Sequence, residues 1–279
     1  MCGICGCADG GGVRLVDPAT GAETELVRAH AHGHGHGHSH HDHGHDHGHG
    51  HGHDHADHSH GPGETVVLER RILADNDREA ARNLGWFEGR RIVALNLMSS
   101  PGSGKTTLIV RTLRDLGGGA GVFVVEGDQM TTHDADRVRK AGATAIQVNT
   151  GAGCHLEADM VAQAVRALDP PAGSLLFVEN VGNLVCPAMF DLGERAKVVV
   201  ISTTEGEDKP LKYPHMFRAA DVVVLNKLDL APHVGFDDAE LRANVTTINP
   251  RARLIALSAR TGDGMGEWIG FLRSELAKA

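Results

Sequence analysis

The run Ser99-Ser100-Pro101-Gly102-Ser103-Gly104-Lys105-Thr106-Thr107 gathers glycines, a lysine and hydroxyls where a chain can close around phosphate. Glycines let backbone N–H groups turn toward an anion, and a helix starting here adds partial positive charge. In such a cradle Lys105 reaches the β- and γ-phosphates and the Thr106 hydroxyl sits on Mg2+, while Gly102, Ser103, Gly104 and Thr107 line it. The first glycine usual in this pattern is Ser99 here, a departure at one position.

A second group completes a nucleotide site. In Asn226-Lys227-Leu228-Asp229 the carboxylate can accept two hydrogen bonds from guanine N1–H and its exocyclic amine, a donor pair that adenine lacks. Lys227 can lay its stem along the base and Asn226 can brace the loop, while Ser258 and Ala259 offer backbone amides to guanine O6. These motifs together indicate GTP and GDP as ligands and a GTPase as the activity.

Carboxylates between the two groups supply what hydrolysis needs. Asp128, Asp134 and Asp136 follow the Phe123-Val124-Val125-Glu126-Gly127 strand, and any of them can hold Mg2+ or orient water. Glu179-Asn180-Val181-Gly182 resembles the second switch of GTPases, with Gly182 letting a backbone amide approach the γ-phosphate. Lys105, Asp128, Asp134 and Glu179 are the candidate catalytic residues, with Thr106 and Asp128 as candidate Mg2+ ligands. No glutamine or arginine in the sequence near Glu179 can be assigned to neutralise transition-state charge, so slow turnover is expected.

Soft and borderline ligands form the third group. Of the 20 histidines, all but His133, His155, His215 and His233 lie between His30 and His60, mostly alternating with glycine or aspartate. Neutral imidazole suits nickel, zinc, copper and iron, and such a segment has nothing to bury. It reads as a reservoir of weak metal sites. Cys2, Cys5 and Cys7 need no fold to meet, and with an amine or histidine they make a square-planar Ni(II) or tetrahedral Zn(II) site. Cys154-His155 and Cys186 supply thiolates and imidazole inside the globular part. Three ligands leave that site incomplete unless water or a second subunit contributes, and a two-fold dimer would supply them. Because Cys186 trails Gly182 closely, nucleotide state and metal coordination are expected to be coupled.

These groups need a scaffold. From about Arg91, apolar runs alternate with amphipathic stretches: Arg91 to Leu97, Val122 to Glu126, Thr144 to Val148, Leu175 to Glu179, Val198 to Ser202, Val222 to Leu225 and Arg253 to Leu257 as strands, with helix-like segments at Asp134 to Ala141, Leu156 to Leu168 and Met265 to Leu276. Continuous rather than alternating apolar runs suit strands covered on both faces. The pattern predicts an α/β fold: a doubly wound, mostly parallel sheet of about seven strands. Residues 1–63 form a disordered metal-binding tail, 64–90 a helical flank and 91–279 the nucleotide-binding domain. From Cys7 to Glu64 the tether would be about 57 residues, a flexible span of about 40 Å.

Composition excludes other classes. The 279 residues carry a net charge of −9 with no basic stripe, against nucleic-acid binding. No apolar run approaches the roughly 18 residues of a membrane span, and no apolar signal core appears. A cytoplasmic location is expected, and the odd cysteine count favours thiol chemistry or metal ligation over disulfides.

The phosphate loop, Cys2-Gly3-Ile4-Cys5-Gly6-Cys7 and the histidine tract resemble the HypB family, GTPases that assist nickel insertion during nickel-iron hydrogenase maturation. Ser-Ser-Pro-Gly-Ser-Gly-Lys-Thr-Thr is similar to that family's phosphate loop. The resemblance implies a P-loop GTPase of the SIMIBI type. It makes Cys2, Cys5 and Cys7 a high-affinity nickel site, and Cys154, His155 and Cys186 a nickel or zinc site at a GTP-dependent homodimer interface. It also implies a HypA-type nickel chaperone as partner and, through it, the hydrogenase large subunit. A urease accessory GTPase of the UreG type lacks the N-terminal cysteine motif and carries Cys-Pro-His, whereas here histidine adjoins Cys154 and proline follows Cys186. A metal-storage protein would leave Asn226, Lys227 and Asp229 without a role, and a P-loop kinase would need an acceptor site that the sequence does not show.

Overall fold

The computed structural model describes residues 13–17, 20–26, 62–117, 121–128, 133–151 and 153–279, apart from the side chains of 62–69 and 133. Cys2, Cys5, Cys7 and the histidine tract lie outside the described residues.

Within these residues β1 (Arg14–Asp17), β2 (Ala22–Glu25), β3 (Val93–Ser99), β4 (Val122–Asp128), β5 (Thr144–Asn149), β6 (Leu175–Glu179), β7 (Ala196–Ser202), β8 (Val222–Asn226) and β9 (Arg253–Ala256) form one sheet in the order β2-β1-β5-β4-β6-β3-β7-β8-β9. The strands from β5 across to β9 pair in parallel. Around them run α1 (Pro62–Gly89), α2 (Lys105–Leu116), α3 (His133–Lys140), α4 (Ala158–Leu168), α5 (Lys209–Lys212), α6 (Pro214–Ala219), α7 (Ala231–Val234), α8 (Asp238–Ile248) and α9 (Met265–Lys278). Every residue of β3, β6 and β8 is buried, as continuous apolar runs require.

Helices cover both faces. Leu108 and Ile109 of α2, Val138 of α3 and Met265 and Trp268 of α9 pack with Leu95, Leu97 and Val200. The Trp268 indole N–H donates to Thr112 Oγ1 at 2.8 Å, which satisfies its one polar atom in the core. On the opposite face Phe87 of α1 and Met160 and Val161 of α4 pack with Val125 and Val178, and Met216 and Phe217 of α6 with Leu241 of α8 extend the layer. The chain moves to one side of β3 through β4 and β5 and to the other through β7 to β9. The crevice at the carboxyl ends is therefore the place for a ligand.

Two boundaries differ from expectation. β3 opens at Val93 rather than Arg91, because Arg91 takes φ 53° and its N–H bonds back to the Glu88 carbonyl at the close of α1. The sheet also gains a hairpin from within the segment expected to be structureless. β1 pairs antiparallel with β5, Arg14 opposite Asn149, burying Val13, Leu15, Val16 and Leu26. Its turn is closed by Gly21 N–H to the Asp17 carbonyl at 2.7 Å and by the Thr20 hydroxyl to the Asp17 carboxylate at 2.9 Å. Since a buried Val or Leu side chain contributes about 1.5–3 kcal/mol, four such residues suffice to hold a short edge hairpin on an existing sheet.

Candidate functional site

The phosphate loop leaves β3 and enters α2 directly. Gly104 stands before the helix with φ 100°, and a Cβ there would come 2.6 Å from Asn226 Nδ2. Glycine is thus required on two counts, backbone conformation and close approach. Asn226 donates to the Ser103 carbonyl at 3.0 Å, and its carboxamide oxygen accepts the N–H groups of Lys227 (2.8 Å) and Ala259 (3.1 Å). One asparagine thereby ties the phosphate loop, the β8 loop and the β9 loop together.

A cavity of about 560 Å³ opens above the loop, lined by Gly102, Ser103, Gly104, Lys105, Thr106, Thr107, Glu126, Asp128, Asp134, Arg137, Glu179, Asn180 and Gly182 among others. Lys105 is buried and donates to Ser99 Oγ at 2.7 Å, so the serine in place of glycine holds the lysine. Burial pushes the Lys105 pKa down, opposed by Glu179, Asp134, Glu126 and Glu205. Thr106 Oγ1 donates to Glu179 Oε1 at 2.7 Å. Burial raises the Glu179 carboxyl, against the pull of Lys105 and Thr106. Glu126, beside Glu179 on the neighbouring strand, is pushed up to about 9 by burial, then by Glu179, Asp134 and Asp128. Ser103 Oγ, Glu126 Oε2 and Glu179 Oε2 are buried without a hydrogen-bond partner at the cavity wall. Such groups fit a cavity built for phosphate and a divalent cation, since burial without a partner costs about 1–3 kcal/mol each.

The three aspartates now separate. Asp128 and Asp134 line the cavity; Asp136 does not, and it faces Arg139 at 3.8 Å. The expectation of no nearby arginine is corrected. Arg137, on α3, lines the cavity, meets Asp134 at 2.8 Å and donates to Thr107 Oγ1 at 3.3 Å. Arg137 and Glu126 are charged residues of the cavity that sequence reasoning did not assign. A charged residue on an amphipathic helix and an acid inside an apolar strand both look ordinary until the strands are paired.

An adjoining cavity of about 500 Å³ is lined by Val110, Arg111, Asn226, Lys227, Asp229, Ser258, Ala259 and Arg260 among others, and it shares Gly104, Thr107, Arg137 and Lys227 with the first. Lys227, at φ 63°, donates its ammonium to the Gly102 carbonyl at 2.6 Å. Asp229 accepts from Ser258 Oγ at 2.6 Å and lies 3.9 Å from the Arg260 guanidinium. Both contacts fix the direction of the carboxylate.

Across the sheet's carboxyl edge, Cys154, His155 and Cys186 bring their ligand atoms within 4.8 Å of one another. Neither cysteine is in a disulfide. Cys154 Sγ lies 3.8 Å from His155 Nδ1, and the other ring nitrogen faces Glu157 Oε1 at 3.8 Å. At that distance the Glu157 carboxylate is an electrostatic neighbour of the ring rather than a hydrogen-bond partner. The buried imidazole also stacks on Phe190, with centroids 3.9 Å apart. Two thiols and an imidazole suit Ni(II) or Zn(II).

The geometry connects this cluster to the phosphate cavity. Asn180, at the end of β6 and in the cavity wall, accepts the Leu156 N–H through Oδ1 at 3.1 Å and donates to Asn96 Oδ1 at 3.2 Å.

Comparison with known proteins agrees with this arrangement. Residues 93–256 match the family described as CobW/HypB/UreG, nucleotide-binding domain. The chain is 55% identical over 213 residues to the hydrogenase maturation factor HypB of Rhizobium leguminosarum bv. viciae, covering 76% of this chain and 71% of that one. It is similar to the crystal structure of HypB from Archaeoglobus fulgidus (TM-score 0.69, 43% identity, 73% of this chain and 100% of that one). It is also similar to the Helicobacter pylori HypB crystallised in complex with nickel (TM-score 0.68, 38% identity, 73% and 96%). With its P-loop and thiol-imidazole cluster at one sheet edge, the chain belongs to the HypB hydrogenase maturation factors, P-loop GTPases of the CobW/HypB/UreG family.

Proposed function

We propose that the protein hydrolyses GTP slowly and uses the nucleotide state to control Ni(II) held by Cys154, His155 and Cys186, delivering it for nickel-iron hydrogenase maturation. The observation that carries this reading is the Asn180–Leu156 hydrogen bond, which joins the wall of the phosphate cavity to the backbone just past His155.

In hydrolysis, Lys105 and Arg137 bring positive charge to the phosphates, and Asp229 with the Ser258-Ala259 amides selects guanine. Thr106, Glu179 and Asp128 would hold Mg2+, which supplies neutralisation of phosphate charge. Asp134 orients Arg137, and Gly182 lies beside Pro101 in the cavity wall, where a backbone amide can face the terminal phosphate. Turnover is near 10⁻⁴ to 10⁻² per second, roughly the range of GTPases without a supplied arginine finger, with Arg137 favouring the upper end.

Nickel enters as cargo. Zinc competes for the same thiolates, and a homodimer formed with GTP would bring a second ligand set to the cluster. The hairpin revises the expected tether. Arg14 pairs with Asn149 at the carboxyl end of β5, the end from which the chain runs on to Cys154. From Cys7 to Val13 is about 6 residues, so a chain span of at most about 20 Å replaces the long coil. A motif joined to Val13 by so few residues would lie within reach of the cluster, for transfer within one particle or to a HypA-type partner and on to the hydrogenase large subunit. The histidine tract stores nickel, in the cytoplasm. Release of phosphate from GTP by the purified protein tests the enzymatic half; absence of turnover would overturn it.

A further inference from the structure

The metal cluster is built from two separate arms. The first is Cys154-His155, running through Leu156 into α4 at Ala158; the second is Cys186, running through a short turn to Phe190, Asp191 and Leu192. Within the cluster, His155 of the first arm stacks on Phe190 of the second. Helix α1 stands across both.

Two buried asparagines on one face of α1, two turns apart, make the connection. Asn76 accepts the Ala158 N–H at 2.8 Å and donates to the Asp191 carbonyl at 2.7 Å. Asn83 donates to the Ala158 carbonyl at 2.8 Å and to the Leu192 carbonyl at 3.0 Å. Each side chain therefore touches both arms, and Ala158 is gripped by its N–H and its carbonyl alike. Between the asparagines, Ala80 packs so closely on Gly193 that a Cβ added at Gly193 would collide with the Ala80 carbonyl and with Asn83. Gly193 takes φ 82°, which favours glycine independently. Neither asparagine lines the phosphate or base cavity.

We propose that Asn76 and Asn83 are positioning residues for the Cys154, His155 and Cys186 metal site. They form a clasp that sets the separation of the two arms before metal arrives. The inference rests on the metal reading of that cluster. An asparagine buried this deeply is satisfied only while both arms are in place, so hydrogen bonding and ligand spacing stand or fall together. Removal of such supporting contacts lowers metal affinity about 10- to 100-fold where they orient ligands. If these bonds served only to dock the helix, their loss would lower stability but leave the spacing of the ligands, and so the metal signal, unchanged.

The five cysteines make a selective test possible. In the full chain carrying Cys2→Ser, Cys5→Ser and Cys7→Ser, the remaining thiolates are Cys154 and Cys186, so Ni(II)-thiolate charge-transfer absorption reports this site while the histidine tract is common to all variants. Asn76→Leu and Asn83→Leu in that background should shift the midpoint of the Ni(II) titration about 10- to 100-fold and change the band's position or intensity. GDP affinity should stay within about twofold, as neither residue lines the nucleotide cavities. In a Cys186→Ala background the same asparagine substitutions should shift the midpoint little further, because both changes act on one site. A band and midpoint unchanged from the parent would overturn the proposal. If the leucine variants lose GDP binding, Asn76→Ala and Asn83→Ser are followed by the same band: a shifted midpoint supports the clasp, and an unchanged one overturns it. Should the parent itself show no thiolate band sensitive to Cys186→Ala, the metal reading fails and the clasp with it.

Discussion

Asn180 Oδ1 accepts the Leu156 N–H at 3.1 Å, so one side chain at the end of β6 stands in the phosphate cavity and also holds the backbone that follows His155. Asn180 is fully enclosed and its own N–H is fixed to the Leu97 carbonyl in β3. In the proposed coupling, any shift of Asn180 on nucleotide binding would be felt first at Leu156, its hydrogen-bond partner. Asn180→Ala should therefore leave Ni(II) binding present but shrink the difference between its affinity with GDP and with a non-hydrolysable GTP analogue. Titrations in both states measure it; a full-sized difference in the variant would assign the coupling elsewhere.

Guanine selection is proposed to rest chiefly on Asp229, held by Ser258. On that reading its loss removes two charge-assisted hydrogen bonds to the base. At about 1.5–3 kcal/mol each, Asp229→Ala should weaken GDP binding by 10²-fold or more, roughly, with no comparable loss for ADP. Fluorescent nucleotide titration distinguishes this from a general collapse of the loop, in which both nucleotides would weaken together.

Arg137 touches Thr107 and Asp134 at the junction of the two cavities. Its side chain is 52% exposed, so its effect is discounted against a fully enclosed arginine finger. Arg137→Ala should lower the rate of phosphate release about 10- to 100-fold, below the 10³ or more of an arginine finger, with GDP affinity little changed. An unaltered rate would reduce Arg137 to a surface pair with Asp134.

Glu126 makes the ligand-free fold sensitive to pH. Burial lifts its carboxyl from 4.5 to about 9, so its contribution is fully present below pH 4.5 and is lost as pH rises toward about 9. The loss has a slope of at most about 1.4 kcal/mol per pH unit for one proton. Glu126→Gln cannot ionise, so its stability advantage over the parent should grow across that window. Urea unfolding of the nucleotide-free protein at several pH values checks this, and parallel curves for the two proteins would refute it.

Much of the fold was legible because doubly covered strands must be apolar throughout: all seven runs from the first at Val93 to the last at Arg253 became parallel strands. The motif residues at Gly102 to Thr107, Asn226, Asp229 and Ser258 met around adjoining cavities because each sits at the carboxyl end of such a strand. The hairpin was missed because β2, Ala-Glu-Thr-Glu, is exposed throughout and carries no apolar alternation; Val13, Leu15 and Leu26 alone signalled it. Asn76, Asn83, Asn96 and Asn180 were illegible for a different reason. Asparagine in sequence reads as a turn or cap residue, and only the paired strands and the docked α1 show that these side chains join segments far apart in the chain.

The proposed control of metal affinity at Cys154, His155 and Cys186 by the bound nucleotide is open to direct measurement. Ni(II) is titrated into the full chain carrying Cys2→Ser, Cys5→Ser and Cys7→Ser, once with GDP and once with a non-hydrolysable GTP analogue. Affinities in the two states should differ by about fivefold or more, the low end of allosteric coupling. Cys186→Ala should abolish the difference while leaving nucleotide affinity intact. Equal Ni(II) affinity in the two nucleotide states would contradict the coupling.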